Sequence, residues 1–284
     1  MQGAFEYERA ATVEESCRLL AEAESAVPYA GGTDLLVDIR NGRRSPSLLV
    51  DIKGIEALRR LDAGDADGGI IIGPAVTLHD LSEHKGLQTR LAGLVEAARS
   101  VATFQLRNRA TIGGNVCNAS PAADLIPPLL VIGALLEIQG PERMRKIALD
   151  DFCTGVKQTC LAAGELVTKI RIPPIDAKIR TAFLKQQRIR GHDLAIVNLA
   201  GAISPGDGLL HLAVGSCGPT PIRLAPIETR GHATAAVAQE AVRVAGGAVA
   251  PISDVRASAA YREAVLPALT RRLVARLLSG KGGA

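Results

Sequence analysis

The sequence predicts an α+β protein in two unequal parts: a larger first part with mixed short strands and helices, and a smaller second part with an antiparallel sheet backed by helices. Three observations carry this. Short apolar runs alternate with amphipathic stretches through the first 172 residues. Pro173-Pro174 then punctuates the chain, and the texture beyond it changes to three long strand-like runs and two helices. Two Gly-Gly turns, Tyr29-Ala-Gly-Gly-Thr-Asp-Leu-Leu36 and Arg109-Ala-Thr-Ile-Gly-Gly-Asn-Val-Cys-Asn-Ala-Ser-Pro-Ala-Ala-Asp-Leu-Ile-Pro-Pro128, interrupt the first part.

Taken in order, Thr12 with Glu15 three residues on reads as a capping box, followed by Val13, Cys17 and Leu20 at helical spacing. Residues 26–30 read as a short strand feeding the first glycine turn, and 35–40 as a helix stopped by Asn41-Gly42. Residues 48–52 and the glycine-bounded 69–73 read as strands. Thr77 caps a helix ending before Gly86, and 87–101 reads as one longer helix with Leu91, Leu94, Val95 and Ala98 on one face. After the second glycine turn, 124–133 reads as a short helix with Pro127 and Pro128 in its first turn, where proline is tolerated. Residues 135–139, 145–149 and 166–172 read as strands. A domain boundary is expected near 175, giving a domain over 1–175 (subdomains about 1–57 and 58–175) and a second over 176–284. In the latter, 180–187, 194–204 and 209–216 form three antiparallel strands, the last two joined by Pro-Gly-Asp-Gly, which is hairpin chemistry. Helices over 234–246 and 258–278 follow, then a frayed tail.

Composition narrows the function. The net charge of +4 is mild, the only basic cluster is Lys185–Arg190, and there are no Trp, three Tyr and four Phe. A nucleic-acid surface needs a basic stripe with stacking aromatics, so none is expected. The five cysteines are scattered and contain no Cys-x-x-Cys, which argues against a cysteine-rich metal site and for a reducing, cytoplasmic setting. No signal peptide and no run of about 20 apolar residues is read. Gly-x-Gly-x-x-Gly, Gly-x4-Gly-Lys-Ser/Thr and Gly-x-Ser-x-Gly are all absent, so Rossmann, P-loop and α/β-hydrolase chemistry find no support.

What remains is the pair of glycine turns. Glycine brings backbone N–H groups close to a ligand with no Cβ in the way, and successive N–H groups make an anion nest. One such turn is ordinary. Two, each edged with Thr and with Asp or Asn, suit a ligand carrying two phosphates.

The residues Ala30-Gly-Gly-Thr-Asp-Leu-Leu36 and Ala110-Thr-Ile-Gly-Gly-Asn-Val-Cys-Asn-Ala-Ser-Pro-Ala-Ala-Asp-Leu125 together resemble the flavoprotein (medium) subunit of the molybdenum hydroxylases, the xanthine dehydrogenase and carbon monoxide dehydrogenase family. Glu165–Pro173, Phe183–Arg188 and Asp193–Asn198 extend the resemblance over nearly the whole chain. It implies a two-subdomain FAD-binding domain of the vanillyl-alcohol-oxidase (PCMH) type, with FAD held non-covalently and both turns cradling its diphosphate. It implies cofactor contacts from Tyr29, Ala30, Gly31, Gly32, Thr33, Asp34 and Leu35, and from Thr111, Gly113, Gly114, Asn115 and Asp124. Val101 and Ala102 match residues beside the flavin ring, Leu166 and Val167 an apolar wall, and Lys185 a lysine near the isoalloxazine. Plainer readings stand beside these: Asp124 as a helix cap, Lys185 as a solvated edge-strand charge, Tyr29 as core.

Two departures refine the expectation. The second motif runs from Cys117 to Pro121 and Asp124 with no room for the cysteine-bearing insertion of one branch, so flavin alone is expected here. No molybdopterin or 2Fe–2S motif and no convincing acid–base pair is present, so catalytic residues are expected in a large molybdopterin-binding subunit and the clusters in a small 2Fe–2S subunit. Electrons would leave through FAD to NAD, quinone, oxygen or a carrier protein. The rival readings are a self-contained FAD oxidase of the same superfamily and a non-catalytic nucleotide-binding module.

Overall fold

The computed structural model describes residues 5–64, 68–189 and 191–279. Arg190 of the basic cluster and the tail over 280–284 lie outside them.

The chain begins with a small parallel sheet. Strands β1 (Glu6–Arg9), β2 (Val27–Tyr29) and β3 (Leu48–Asp51) lie in the order β1-β3-β2, so the fully buried β3 is central. Strand β1 was not read from sequence: all four of its residues are exposed, so it has no apolar alternation to detect. Helices α1 (Val13–Glu22) and α2 (Leu35–Arg40) accompany the sheet. Thr12 caps α1 through its hydroxyl, which accepts from the Glu15 N–H at 3.1 Å, while the Glu15 carboxylate takes the Ala11 N–H at 2.6 Å. Cys17, Leu20, Leu48, Val50, Ile52 and Leu58 form the core beneath this sheet.

The second subdomain is an antiparallel five-stranded sheet covered by short helices. Its strands are β4 (Leu61–Asp62), β5 (Ile70–Ile72), β6 (Leu135–Gln139), β7 (Met144–Ala148) and β10 (Leu166–Ile172), in the order β4-β5-β10-β6-β7. A two-stranded hairpin, β8 (Cys153–Gly155) with β9 (Gln158–Thr159), stands apart. The helices are α3 (Leu78–Glu83), α4 (Lys85–Arg90), α5 (Ala92–Ser100), α6 (Phe104–Arg107), α7 (Ile112–Cys117) and α8 (Ile126–Val131). The helix expected over 87–101 is therefore two helices. The chain breaks at Leu91, whose backbone (φ −136°, ψ 52°) leaves the helical region, and Gly86 lies inside α4 instead of ending a helix. Helix α8 carries its prolines at the N-terminus, as read, so they remove only N–H groups that lack an intrahelical acceptor.

The C-terminal part is a sheet sandwiched between helices. Strands β11 (Arg180–Gln186), β12 (Val197–Ile203) and β13 (Leu209–Gly215) are the three long antiparallel strands, and the two-residue strands β14 (Ile222–Arg223) and β15 (Ile227–Glu228) widen the sheet along β13. Helices α9 (Thr234–Ala248) and α10 (Ala259–Ser279) cover one face. Leu199, Leu212 and Val214 point into that helical layer, while Phe183, Ala200, Ala202 and Ala213 join the core of the second subdomain. Both faces of β12 are thus buried along its whole length, which explains why its sequence is a continuous apolar run instead of an alternating one. The seam is tight: a Cβ on Gly93 of α5 would lie 2.8 Å from the Ala182 nitrogen. Gly93 N–H donates to Thr181 at 2.9 Å, and Phe183 N–H donates to Glu96 at 3.0 Å. Among the described residues no helix is long and apolar enough to cross a membrane.

Candidate functional site

The first glycine turn leaves the carboxyl end of β2, at the edge of a parallel sheet, a position where α/β folds commonly bind ligands. Its backbone is unusually open. The N–H groups of Gly31, Gly32, Thr33, Asp34 and Leu35 donate to no described residue, and neither do the Thr33 hydroxyl or Asp34 carboxylate have a described partner. Gly32 adopts φ +71°, the left-handed conformation that glycine tolerates without strain, and its missing side chain lets the Tyr29 ring lie against it, with Tyr29 Cζ 3.2 Å from where a Cβ would be.

Tyr29 is half-buried and not simply core. Its ring carries the Lys53 ammonium 3.7 Å from the centroid and meets the Tyr7 ring edge-on at 6.2 Å. Lys53 is also 2.8 Å from Asp51, whose other oxygen accepts from the Tyr7 hydroxyl. Burial tends to raise the Asp51 carboxyl, but hydrogen bonds from Lys53 and Tyr7 outweigh it and hold it below the usual range. The result is a braced aromatic and cationic rim on one side of the turn.

The second turn is built differently. Thr111 caps α7, its Oγ1 accepting the Gly114 N–H at 3.0 Å. The Ile112 N–H donates to Val76 O at 3.0 Å, the Gly113 N–H to Pro74 O at 2.9 Å and the Asn115 N–H to Thr111 O at 3.0 Å. Every N–H from Ile112 to Asn115 is therefore satisfied inside the protein. Gly113 is required for packing, since a Cβ there would sit 2.7 Å from Pro74 O. Gly114 is exposed, and a Cβ on it would meet only Thr111 Oγ1, at 3.0 Å. The two turns touch: a Cβ on Gly31 would lie 2.8 Å from the Arg109 carbonyl carbon and 3.0 Å from Ala110 Cα.

Downstream of α7, Asn115 Oδ1 accepts the Leu125 N–H at 3.3 Å and so ties the second turn to the loop bearing Asp124. Asp124 does not cap α8; Leu125 holds that position with no side-chain bond. The buried Asp124 carboxylate instead meets Lys185 Nζ at 2.6 Å and Asn198 Nδ2 at 2.8 Å. Lys185 is no solvated edge charge, because its side chain is 5% exposed and its ammonium also donates to Ser100 O at 3.2 Å. Burial pushes the Asp124 carboxyl up, against the pull of Lys185 and the Asn198 amide.

Val101 follows Ser100 directly. Ala102 has φ +47°, a strained backbone for a residue with a Cβ, and Arg107 braces it by donating 3.1 Å hydrogen bonds to the carbonyls of Val101 and Ala102. Leu166 and Val167 are both buried on β10, Leu166 in the core of the first subdomain and Val167 in that of the second. The two glycine turns are thus docked together, and the second is linked through Asn115 to the network of Asp124, Lys185, Ser100 and Asn198, next to Val101. Leu166 and Val167 belong to the packing beneath. Asn198, Ser100, Gly215 and Lys53 were not singled out from sequence. The detectable signal for Asn198 is an amide inside the otherwise apolar Val197–Ile203 run. Cys117, at the end of α7, has its thiol pushed up by burial to about 12, so it stays protonated at neutral pH.

This geometry agrees with sequence and structure comparison. The family described as the FAD binding domain in molybdopterin dehydrogenase matches residues 3–175, and the CO dehydrogenase flavoprotein C-terminal domain matches residues 182–277. The chain belongs to the FAD-binding subunits of the molybdopterin dehydrogenases. It is 31% identical to the xanthine dehydrogenase FAD-binding subunit of Escherichia coli O157:H7, covering 98% of this chain and 97% of that one. It is also 31% identical to the carbon monoxide dehydrogenase medium chain of Afipia carboxidovorans, covering 96% of each. Among solved structures, a chain of the Cu,Mo-CO dehydrogenase in its cyanide-inactivated form superposes with a TM-score of 0.91 at 29% identity, over 98% of this chain and 99% of that one. This FAD-binding subunit therefore shares both fold and cofactor class with oxidoreductase subunits of that family. The residues present suit the cofactor. A run of free N–H donors in the first turn matches an anionic diphosphate, and the exposed Gly114 leaves its approach open.

Proposed function

We propose that this chain is the FAD-bearing electron relay of a cytoplasmic molybdenum hydroxylase assembly. Electrons released at the molybdenum centre of a large partner subunit reach it through 2Fe–2S clusters of a small partner subunit and leave to NAD, quinone, oxygen or a carrier protein. The observation that carries this reading is the run of N–H groups from Gly31 to Leu35, which lack described acceptors, in a turn whose Gly31 packs against Arg109 and Ala110 at the start of the second. FAD, when bound, supplies a centre that exchanges electrons singly or in pairs. The chain's own residues bind and tune it.

In this reading the backbone of residues 31–35 and the Thr33 hydroxyl hold the diphosphate, with Tyr29, Ala30, Asp34 and Leu35 lining it. Thr111 and Gly113 shape the second turn, so that Gly114 and Asn115 present an uncrowded surface. Lys185 lies beside the ring with Val101 and Ala102, and its pairing with Asp124 fixes where the cation sits. Leu166 and Val167 support the wall from below. The domain boundary near 175 separates the binding domain from a sheet whose inner face supplies Lys185.

The test is stopped-flow reduction of the flavin-loaded subunit alone and with its large and small partners. The isolated subunit is expected to be reduced by artificial reductants but not by the organic substrate, and assembly is expected to add substrate-dependent bleaching. Rapid bleaching of the lone subunit by an organic substrate would overturn the relay in favour of a self-contained oxidase.

A further inference from the structure

Lys185, Asn198 and Gly215 are cross-strand neighbours in one row of the C-terminal sheet, paired Lys185 to Asn198 and Asn198 to Gly215. The same face carries Phe183, Ala200, Ala202 and Ala213 in the core shared with the binding domain. The row thus adjoins the apolar part of that seam.

Asn198 is fully buried there. It and Lys185 divide the Asp124 carboxylate between them: Lys185 Nζ takes Oδ2 at 2.6 Å, and Asn198 Nδ2 takes Oδ1 at 2.8 Å. Gly215 makes this possible. A Cβ built on it would be 3.1 Å from Asn198 Cγ and closer still to Oδ1. Asn198 Oδ1 itself is buried with no described donor. Leaving a buried acceptor unpaired is destabilising, whereas an apolar side chain of similar shape would carry no such penalty. The amide is therefore a poor choice for packing alone, and what it does provide is a second fixed donor to Asp124.

We propose that Asn198, given room by Gly215, is a positioning residue that tunes the flavin through Asp124: by holding that carboxylate ionised against Lys185, it sets how much of the lysine's positive charge reaches the ring. This rests on the reading that Lys185 lies beside the ring. Opposite charges at 2.6 Å cancel much of each other's field at a distance. Reduction places negative charge on the ring, which an unneutralised cation stabilises. Without the amide, the carboxylate keeps only Lys185 as donor in a site where burial already favours its neutral form, so it takes up a proton more readily. Lys185 is then less neutralised, and the flavin is easier to reduce.

The other charged groups on α5, β11 and β13 have partners of their own, and the buried Arg262 of α10, behind the sheet, is held by Ile196 O, Ser216 O and Asp254. Glu96 on α5 is held by Phe183 N–H and Arg276, Arg99 by Ser82 O and Glu83, Arg180 on β11 by Leu278 O, and His211 on β13 faces Asp207. Helix α8 carries no charged side chain. Asp124 with Lys185 is thus the pair whose balance the amide controls.

The experiment is a redox titration of the flavin in the loaded chain, at neutral and at alkaline pH, for the native protein and for Asn198→Leu, Gly215→Ala and Lys185→Met. Asn198→Leu is expected to shift the oxidised-to-reduced equilibrium about tenfold or more toward reduced flavin at neutral pH. That difference should shrink at alkaline pH, where Asp124 loses its proton again. Gly215→Ala, which displaces the amide without removing a polar group, is expected to shift it in the same direction by less, and it decides the matter if the leucine variant does not fold. Lys185→Met is expected to shift it the opposite way. A shift in Lys185→Met with native potentials in both other variants would overturn the role of Asn198 and leave Lys185 at the ring. A native potential in Lys185→Met would overturn the placement of Lys185, and the inference with it. A merely structural Asn198 would change flavin retention or melting temperature without this pH-dependent shift.

Discussion

The two glycine turns look alike in sequence and have opposite hydrogen-bond accounts. In the first, five consecutive N–H groups, from Gly31 to Leu35, have no described acceptor. In the second, every N–H from Ile112 to Asn115 is bonded within the protein. The glycines differ as well. Gly32 is needed for its left-handed backbone, Gly31 and Gly113 for close packing against another segment, and Gly114 for neither. A pair of glycines therefore does not specify a function. What distinguishes a candidate ligand cradle from a packing joint is where the neighbouring N–H groups go. On this basis the first turn supplies donors, while the second supplies a rigid abutment against which the first is held.

The largest effect is expected where the turns meet. Gly31→Ala would press a Cβ onto the Arg109 carbonyl, which is backbone and has little freedom to move. Overpacking of this kind typically costs about 1–3 kcal/mol. Both a lower urea midpoint and loss of bound flavin are expected, because the donors cannot keep their place when the joint opens. Native stability together with native flavin content would show that the turns are not held against one another as the structure has them.

A matched pair of threonine substitutions sharpens the comparison at intermediate size. Thr111 caps α7 through Gly114 N–H, so Thr111→Val should cost about 1 kcal/mol of stability. The Thr33 hydroxyl has no described partner, so Thr33→Val should leave stability of the flavin-free chain within about 0.5 kcal/mol, as for an unengaged surface position. Its effect should fall on FAD affinity instead, measured by flavin release on dilution. Equal stability losses in the two variants would erase the distinction between abutment and cradle.

How much of this was legible beforehand follows from the same physics. The parts set by local chemistry were readable: the Thr12 cap, the prolines opening α8, the three long strands of the C-terminal sheet. Strand β1 was not, because Glu6–Arg9 is exposed throughout and is held by its pairing with β3. The break at Leu91 was hidden because the apolar periodicity of residues 87–101 continues across it, in two helices that both pack on the core. In the site, the glycine turns and Lys185 could be picked out by resemblance, yet neither the inward bonding of the second turn nor the Lys185–Asp124–Asn198 network was visible. Those depend on strand register and on segments some 61 to 74 residues apart in sequence.

A substitution with little expected effect on folding is also the most discriminating for function. Gly114 lies within α7, has an ordinary helical environment and is exposed. Alanine is favoured over glycine in a helix by roughly 0.5–1 kcal/mol, since it loses less backbone freedom on folding. Against that gain stands one contact, Thr111 Oγ1 at 3.0 Å from the new Cβ, which a small movement of the hydroxyl relieves. Gly114→Ala should therefore change stability by less than about 1 kcal/mol in either direction. If the second turn touches the diphosphate at this glycine, the added methyl occupies the approach and flavin content falls while the melting temperature of the flavin-free chain holds. If flavin content holds too, the second turn acts only by supporting the first. The larger Gly114→Val then shows whether any part of that exposed surface lies within reach of the cofactor, because its branched side chain extends beyond the methyl in the same direction.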